Sequence, residues 1–244
     1  MKNKINLFIL LFVFGFSFSQ TKKIDYKYEM KNTLSVVDHY YSSPATLLFN
    51  NNQKLYTVEF NMENQKSANN GNAITVPAKG PSYYKIFSNP SGGYLITDKI
   101  NQDQYYFTDN YEPMSYKILN ENKVVNNKKL TKATTNFRGR NYIVWFDPNT
   151  KTKEGPWKFN NLQGIAYEIY DENKLFKWTL EKIENSKVKI ENPFVGETVF
   201  KNYVEYPKMR YGLSPLLQED LKKAGIKMTE LERNGLEILF EWEK

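Results

Sequence analysis

The run Phe137–Trp178, FRGRNYIVWFDPNTKTKEGPWKFNNLQGIAYEIYDENKLFKW, decides the fold. Three β-forming segments stand out in it: Asn141–Phe146, Ile165–Ile169 and Leu175–Lys182. Turn residues separate them, as Asp147-Pro148-Asn149, Gly155-Pro156, Asn160-Asn161 and Asp171-Glu172-Asn173. Short aromatic and β-branched runs at this spacing predict an antiparallel meander. Alternation puts Trp157 and Phe159 on one face with Lys158 opposite, and Ile165, Tyr167 and Ile169 together on a face.

The same pattern extends in both directions. Lys22–Lys31 alternates apolar Ile24, Tyr26, Tyr28 and Met30 with Asp25, Lys27 and Glu29, the signature of a half-buried strand. Asn32–Pro44, which holds His39, reads as a helical turn or loop. Ala45–Phe49 and Lys54–Asn61 flank Asn50-Asn51-Asn52 as a hairpin, since Asn tolerates positive φ. Met62–Pro81 is a long polar loop. Strands are expected at Tyr83–Phe87, Tyr94–Lys99, Gln104–Thr108, Ser115–Leu119 and Thr131–Phe137, with one of the turns at Asn120-Glu121-Asn122. Beyond the opening stretch, Lys187–Ile190 and Thr198–Tyr206 read as strands. Ser214-Pro215 caps a helix that stops at Gly225. Thr229–Arg233 reads as a helical turn, and alternating Leu236, Ile238, Phe240 and Trp242 as a closing strand. The expected fold is mainly β: an extended, curved antiparallel sheet, half-barrel in form, with a short C-terminal helical segment. No linker or repeat divides residues 20–244, so one domain is expected.

Composition agrees and narrows the function classes. The chain has 244 residues, 40% of them hydrophobic and 16% aromatic, and aromatic residues favour strands. Lys2 and Lys4 precede an apolar run to Phe18, and Ser17-Phe18-Ser19 has the small-x-small form of a cleavage site. A signal peptide over residues 1–19 is therefore expected, cut between Ser19 and Gln20, with no membrane span after its removal. With 0 cysteines there is no disulfide, no thiol nucleophile, no cysteine metal ligand and no lipid-bearing cysteine. The expected location is the periplasm or the exterior, without a lipid anchor. The net charge of +7 falls to +5 in the mature chain. The charge is spread over dispersed lysines, unlike the clustered basic face of a nucleic-acid binder, and only Arg138, Arg140, Arg210 and Arg233 are arginines.

The chain is poor in recognisable chemistry. Its single histidine, His39, lies in no nucleophile motif. One histidine without cysteine does not make a zinc site. Ser91-Gly92-Gly93 lacks the lysine of a phosphate loop. No cofactor is expected. Carboxylates remain: a hydrolase of the glycosidase type needs only two, and Asp147, Glu154, Glu168, Asp171 and Glu172 lie close in sequence. Arg138-Gly139-Arg140 offers forked donors to an anion or, as the simpler reading, to carboxylates of the fold. Trp145, Trp157 and Phe159 offer either a ligand surface or a core face.

At NFRGRNYIVWF and GPWKFNNLQGIAYEI the chain resembles the GLPGLI family, exported proteins of unknown function common in Bacteroidota. The residues that carry the resemblance are Phe137, Gly139, Arg140, Val144, Trp145, Phe146, Gly155, Pro156, Trp157, Lys158 and Phe159. In the block that names the family, residues 161–166, Leu162 and Gly164 match and Ile165 is conservative. Asn161, Gln163 and Ala166 depart from it, which marks a divergent member. The resemblance implies export and a structural motif, and transfers no catalytic residue. The expectation is a non-enzymatic envelope protein that binds a lipid-like hydrophobic ligand or an envelope protein. The alternative is a carboxylate-dependent hydrolase of an envelope or extracellular substrate.

Overall fold

The opening stretch folds into the middle of one open twelve-stranded sheet. The computed structural model describes residues 20–32, 39–60, 82–88, 93–100, 103–197 and 199–243. In chain order the strands are β1 (Thr21–Lys31), β2 (Tyr40–Phe49), β3 (Lys54–Phe60), β4 (Ser82–Ser88), β5 (Tyr94–Ile100) and β6 (Asp103–Asp109). They continue as β7 (Lys117–Val125), β8 (Lys128–Phe137), β9 (Arg140–Asp147), β10 (Ile165–Asp171), β11 (Phe176–Ser186) and β12 (Lys201–Asn202). Two helices follow, α1 (Tyr206–Tyr211) and α2 (Pro215–Lys223). The spatial order is β12-β6-β5-β4-β3-β2-β1-β11-β10-β9-β8-β7. Every neighbouring pair is antiparallel except β12 with β6, so the mainly-β expectation with a short C-terminal helix holds.

The sheet curls far enough to bring distant strands together. Asp109, at the end of β6, and Arg138, in the β8–β9 turn, form an ion pair at 2.9 Å. In the sheet order β6 and β9 stand eight positions apart. A flat sheet would separate them by roughly 38 Å at about 4.8 Å per strand. On the concave face the inward residues of β1, β2, β3, β9 and β11 meet over a set of rings. Trp178 donates to the Tyr56 hydroxyl at 2.8 Å, and Trp157 to that of Tyr84 at 3.2 Å. Tyr142 stands edge-on to Phe159 at 5.0 Å, and Trp157 stacks on Trp178 at 6.0 Å. Such pairs add to the area they bury, and the polar tips of Tyr and Trp find partners inside.

Several local expectations are corrected. No turn forms at Asn120-Glu121-Asn122, which lies within β7; the chain reverses at Asn126-Asn127, both at positive φ (49° and 59°). That is the two-residue hairpin geometry whose twist matches the strands. Of the expected helical turn or loop Asn32–Pro44, residues 33–38 lie outside the described residues and residues 40–44 extend β2. The alternation of Ile165, Tyr167 and Ile169 is interrupted, because the register with β9 shifts between Ala166 and Glu168: Ile165, Ala166 and Ile169 are buried and Tyr167 half-buried. Trp157, Lys158 and Phe159 do not alternate: all three are buried in a loop where Trp157 sits at φ +51°. Lys187–Ile190 is irregular, and of the described residues within Thr198–Tyr206, which exclude Thr198, only Lys201–Asn202 is strand. There the chain passes into a 3-10 turn at Tyr203–Glu205 and then α1, whose Pro207 suits a first turn.

The C-terminal segment divides the same way. Helix α2 has the expected Ser214 cap, which accepts from Leu217, and its end at Gly225. Gly225 donates to Lys222 and Ile226 to Leu221, the paired bonds of a Schellman end. Thr229–Arg233 is not helical; Leu231 donates to the carbonyl of Tyr211 at 2.7 Å instead. Leu236–Trp242 is not a strand. The N–H groups of Ile238 and Leu239 both go to the Arg138 carbonyl, and Glu237 and Phe240 turn inward while Leu239 is exposed. The expected signal peptide, with Ser19, and the whole of the expected loop Met62–Pro81 lie outside the described residues.

Candidate functional site

The polar residues of the opening stretch converge inside the protein. Arg138 occupies the first position of the two-residue β8–β9 turn at φ +44°, and Gly139 the second at φ +83°. Positive φ costs a bulky residue conformational energy and persists only where surrounding contacts hold it. Here the guanidinium binds both oxygens of Asp109 at 2.9 Å and Glu237 at 2.7 Å, with the outlying Glu241 on its Nε at 3.0 Å. Lys158 reaches the same two inner carboxylates, each at 2.7 Å. The Tyr203 hydroxyl donates to Glu237 at 2.5 Å. Two cations and two carboxylates thus balance in a pocket where the Arg138 and Lys158 side chains are 0% exposed.

The electrostatics follow from that enclosure. Burial works against the charged form of Asp109, yet Lys158 and Arg138 outweigh it and hold its pKa below the ordinary value. Burial raises the pKa of Tyr203, and the carboxylate of Glu237 raises it further. A buried network of this kind fixes one arrangement of its members; it exposes no group to a substrate.

Arg140 repeats the design one residue pair away. It binds the buried Asp171 at 3.0 Å and the Gly235 carbonyl at 2.9 Å. Asp171 also accepts from the Phe176 N–H at 2.8 Å, which ties the β10–β11 turn. Both arginines therefore hold the C-terminal segment against the β8–β9 turn. Gly139 is required there: a Cβ would lie 2.8 Å from Leu239 and 2.9 Å from Ile238. Gly164 allows the chain to cross β9, since a Cβ would lie 2.3 Å from the Asp147 carbonyl. Gly155, Pro156, Leu162 and Phe137 are buried among the core rings.

Of the three aromatic residues offered as a ligand surface, Trp157 and Phe159 are core and line neither the cavity beside Tyr170 nor that beside Glu154. Trp145 is on the other face, half-buried and outward. Lys123 lies 4.5 Å and Lys132 5.9 Å from its ring, and its Nε1 donates to the Tyr170 hydroxyl at 3.5 Å. Tyr170 and Tyr40 line a cavity of about 420 Å³ with Glu29, Glu168, Lys174 and Lys177. Glu168 binds Lys177 at 3.0 Å and also Lys123. Partial burial opposes its charge, but the two ammonium groups prevail and lower its pKa.

The five candidate carboxylates do not converge. Asp147 accepts from the Asn149 N–H at 2.9 Å, Asp171 faces the core, and Glu172 takes the Asn141 amide at 3.0 Å. Glu154 faces Lys54 at 3.6 Å, on a separate cavity. Among the described residues no group of three or more His, Cys, Asp or Glu is placed to hold a metal ion. His39 stands at the start of β2, exposed, with its ring edge-on to Tyr41. Gln20 is exposed just before β1. Asp109, Glu237, Glu29 and Lys54 were not singled out by sequence. Glu237 carried a signal, an acid inside an apolar alternation, and the others carried none.

The chain is thus a mainly-β protein built on one strongly curved open sheet, with an enclosed ionic centre. No protein-family model matches it, and no curated protein does. Among solved structures it is similar to PNGF-II, whose P21 crystal form aligns at 15% identity and a TM-score of 0.51 over 79% of this chain. The C2 form of the same protein aligns at 15% identity and a TM-score of 0.49 over 78%. The chain spans about a third of PNGF-II, 33% and 32% in the two forms. At that identity the likeness is one of fold.

Proposed function

We propose that this is an exported, non-enzymatic cell-envelope protein, a divergent relative of the GLPGLI family, that binds an envelope protein through the outward face of β9–β11. The periplasm or the cell exterior is its place of action, without a lipid anchor. The observation that carries the reading is the outward cavity lined by Tyr170, Tyr40, lysines and glutamates, with Trp145 beside it on the Tyr170 hydroxyl and under Lys123. Trp and Tyr are the residues that most often anchor protein interfaces, because each presents a rigid apolar body with a polar tip. No described helix is long and apolar enough to cross a membrane. A lipid-like ligand is the less favoured occupant, since the rings offered for it, Trp157 and Phe159, are enclosed in the core.

The test is capture from envelope extract, with proteins and lipids both identified. The expected result is one stoichiometric protein held by the wild type and lost from Trp145→Ala and Tyr170→Ala at unchanged melting temperature. Equal capture by all three would overturn the proposal.

A second reading has one observation in its favour: Glu29 and Glu168 line the same cavity. A carboxylate-dependent hydrolase needs one acid and one charged carboxylate. Glu168 is held charged, so the acid would have to be Glu29, which pairs with Lys27 at 2.6 Å. Turnover of envelope polysaccharide by the wild type and its loss in Glu168→Gln would favour this reading over the first.

A further inference from the structure

Two lysines are enclosed among the described residues, and they are treated differently. Lys158 has two carboxylate oxygens at 2.7 Å. Lys54, at the start of β3, is 5% exposed at its side chain, and its Nζ has no hydrogen-bond partner. The nearest anion is Glu154 Oε2 at 3.6 Å, outside hydrogen-bond reach. An ammonium has three donors, and burying it without acceptors is costly. Burial lowers the Lys54 pKa, with Glu154 opposing the shift. Its coordination is incomplete in a way that the Lys158 site is not.

What lies beyond Glu154 is open. Its side chain is 34% exposed and lines a cavity of about 610 Å³. The cavity lies between the start of β1, the β2–β3 turn and the loop after β9, and Lys22, Lys151, Lys153, Thr150 and Thr152 contribute to its wall. Three lysines and one glutamate belong to the wall, and Lys54, which does not line the cavity, meets it through its ion pair with Glu154. The backbone of Glu154 is fixed by its bridge to Asn160, so only its side chain is free to move.

We propose that this cavity binds the oxyanion of a small polar ligand, a carboxylate, sulfate or phosphate group. The ligand's oxyanion takes the place of the Glu154 carboxylate beside Lys54 and completes its hydrogen bonds. The wall lysines Lys22, Lys151 and Lys153 supply the attraction. Glu154 is a tethered competitor that neutralises Lys54 while the cavity is empty. The site is separate from the Trp145 patch and does not depend on it.

Calorimetric titration with inorganic phosphate, sodium sulfate and glucuronate, at fixed ionic strength, tests this. Saturable binding of at least one probe is expected; binding of glucuronate alone assigns the site to a sugar acid, and binding of phosphate or sulfate to those groups. Glu154→Gln should tighten binding by about tenfold, because the competing charge is gone. Lys54→Met should abolish it while the melting temperature stays level or rises, since an unsatisfied buried charge is replaced by an apolar side chain. Absence of saturable binding for all three probes overturns the proposal. So does equal affinity in Lys54→Met, or weaker affinity in Glu154→Gln.

Discussion

Replacing Lys158 with Met asks whether the ionic centre is the clasp that closes the sheet. The substitution keeps the chain's length and apolar body and deletes one cation. Asp109 and Glu237 would then share Arg138 alone, with Glu241 already on its Nε, and the enclosed charges would no longer balance. Breaking a buried pair from one side costs about 3–5 kcal/mol, since the partner is left enclosed and uncompensated. For a chain of this size each kcal/mol moves the melting temperature by about 2–4 °C, so a fall of about 6–20 °C is expected. Adding Glu237→Gln removes the surplus negative charge and leaves the Arg138–Asp109 pair in place. The double variant should therefore lose less than the sum of the two single losses, by about 1–3 kcal/mol. Thermal and urea unfolding of the four proteins measure both quantities. A single-variant loss below about 1 kcal/mol, or strict additivity, would refute the clasp.

Two further outcomes follow from the same geometry. Asp109 has a depressed pKa, so its contribution to stability is present above the ordinary value of 3.8 and is lost as pH falls through the depressed folded value. Acid unfolding of the wild type should begin below that ordinary value, and Lys158→Met, which removes one cause of the depression, should begin to unfold at higher pH; circular dichroism along a pH series reads the shift. Gly164→Ala places a methyl 2.3 Å from the Asp147 carbonyl, a backbone atom that cannot swing aside, so it should destabilise by about 1–3 kcal/mol in chemical denaturation, whereas Gly196→Ala meets nothing within 4 Å and should cost less.

The sheet was legible because its signals are local. Period-two alternation in β1, the Asn50–Asn52 turn between β2 and β3, and the Asp171–Asn173 turn between β10 and β11 each announce themselves within a few residues. The ionic centre was legible only in part. Arg138 and Arg140 read as donors to carboxylates of the fold, which holds, but which carboxylates did not show: Asp109 is 29 residues from Arg138, and Glu237 is 99. Only the curl of the sheet brings them together. The shift within β10 was unmarked too: one extra residue at Tyr167 interrupts the pairing with β9, and nothing in the alternation announces it. The closing strand failed because Glu237 is drawn inward by two cations against its own polarity. At the outward site, Trp145 was read as a companion of Trp157 although it stands on β9 with Val144 and Phe146 facing the other way.

The division between an enclosed structural motif and an outward binding face is the central claim, and two tryptophans separate its halves. Partner capture and melting temperature should be measured side by side for Trp145→Ala and Trp157→Ala. The account predicts that Trp145→Ala keeps its melting temperature and loses the partner, and that Trp157→Ala loses about 3–5 kcal/mol of stability, as expected for a ring excised from a packed core. A stable Trp157→Ala protein that no longer binds, beside a Trp145→Ala protein that binds fully, would contradict it.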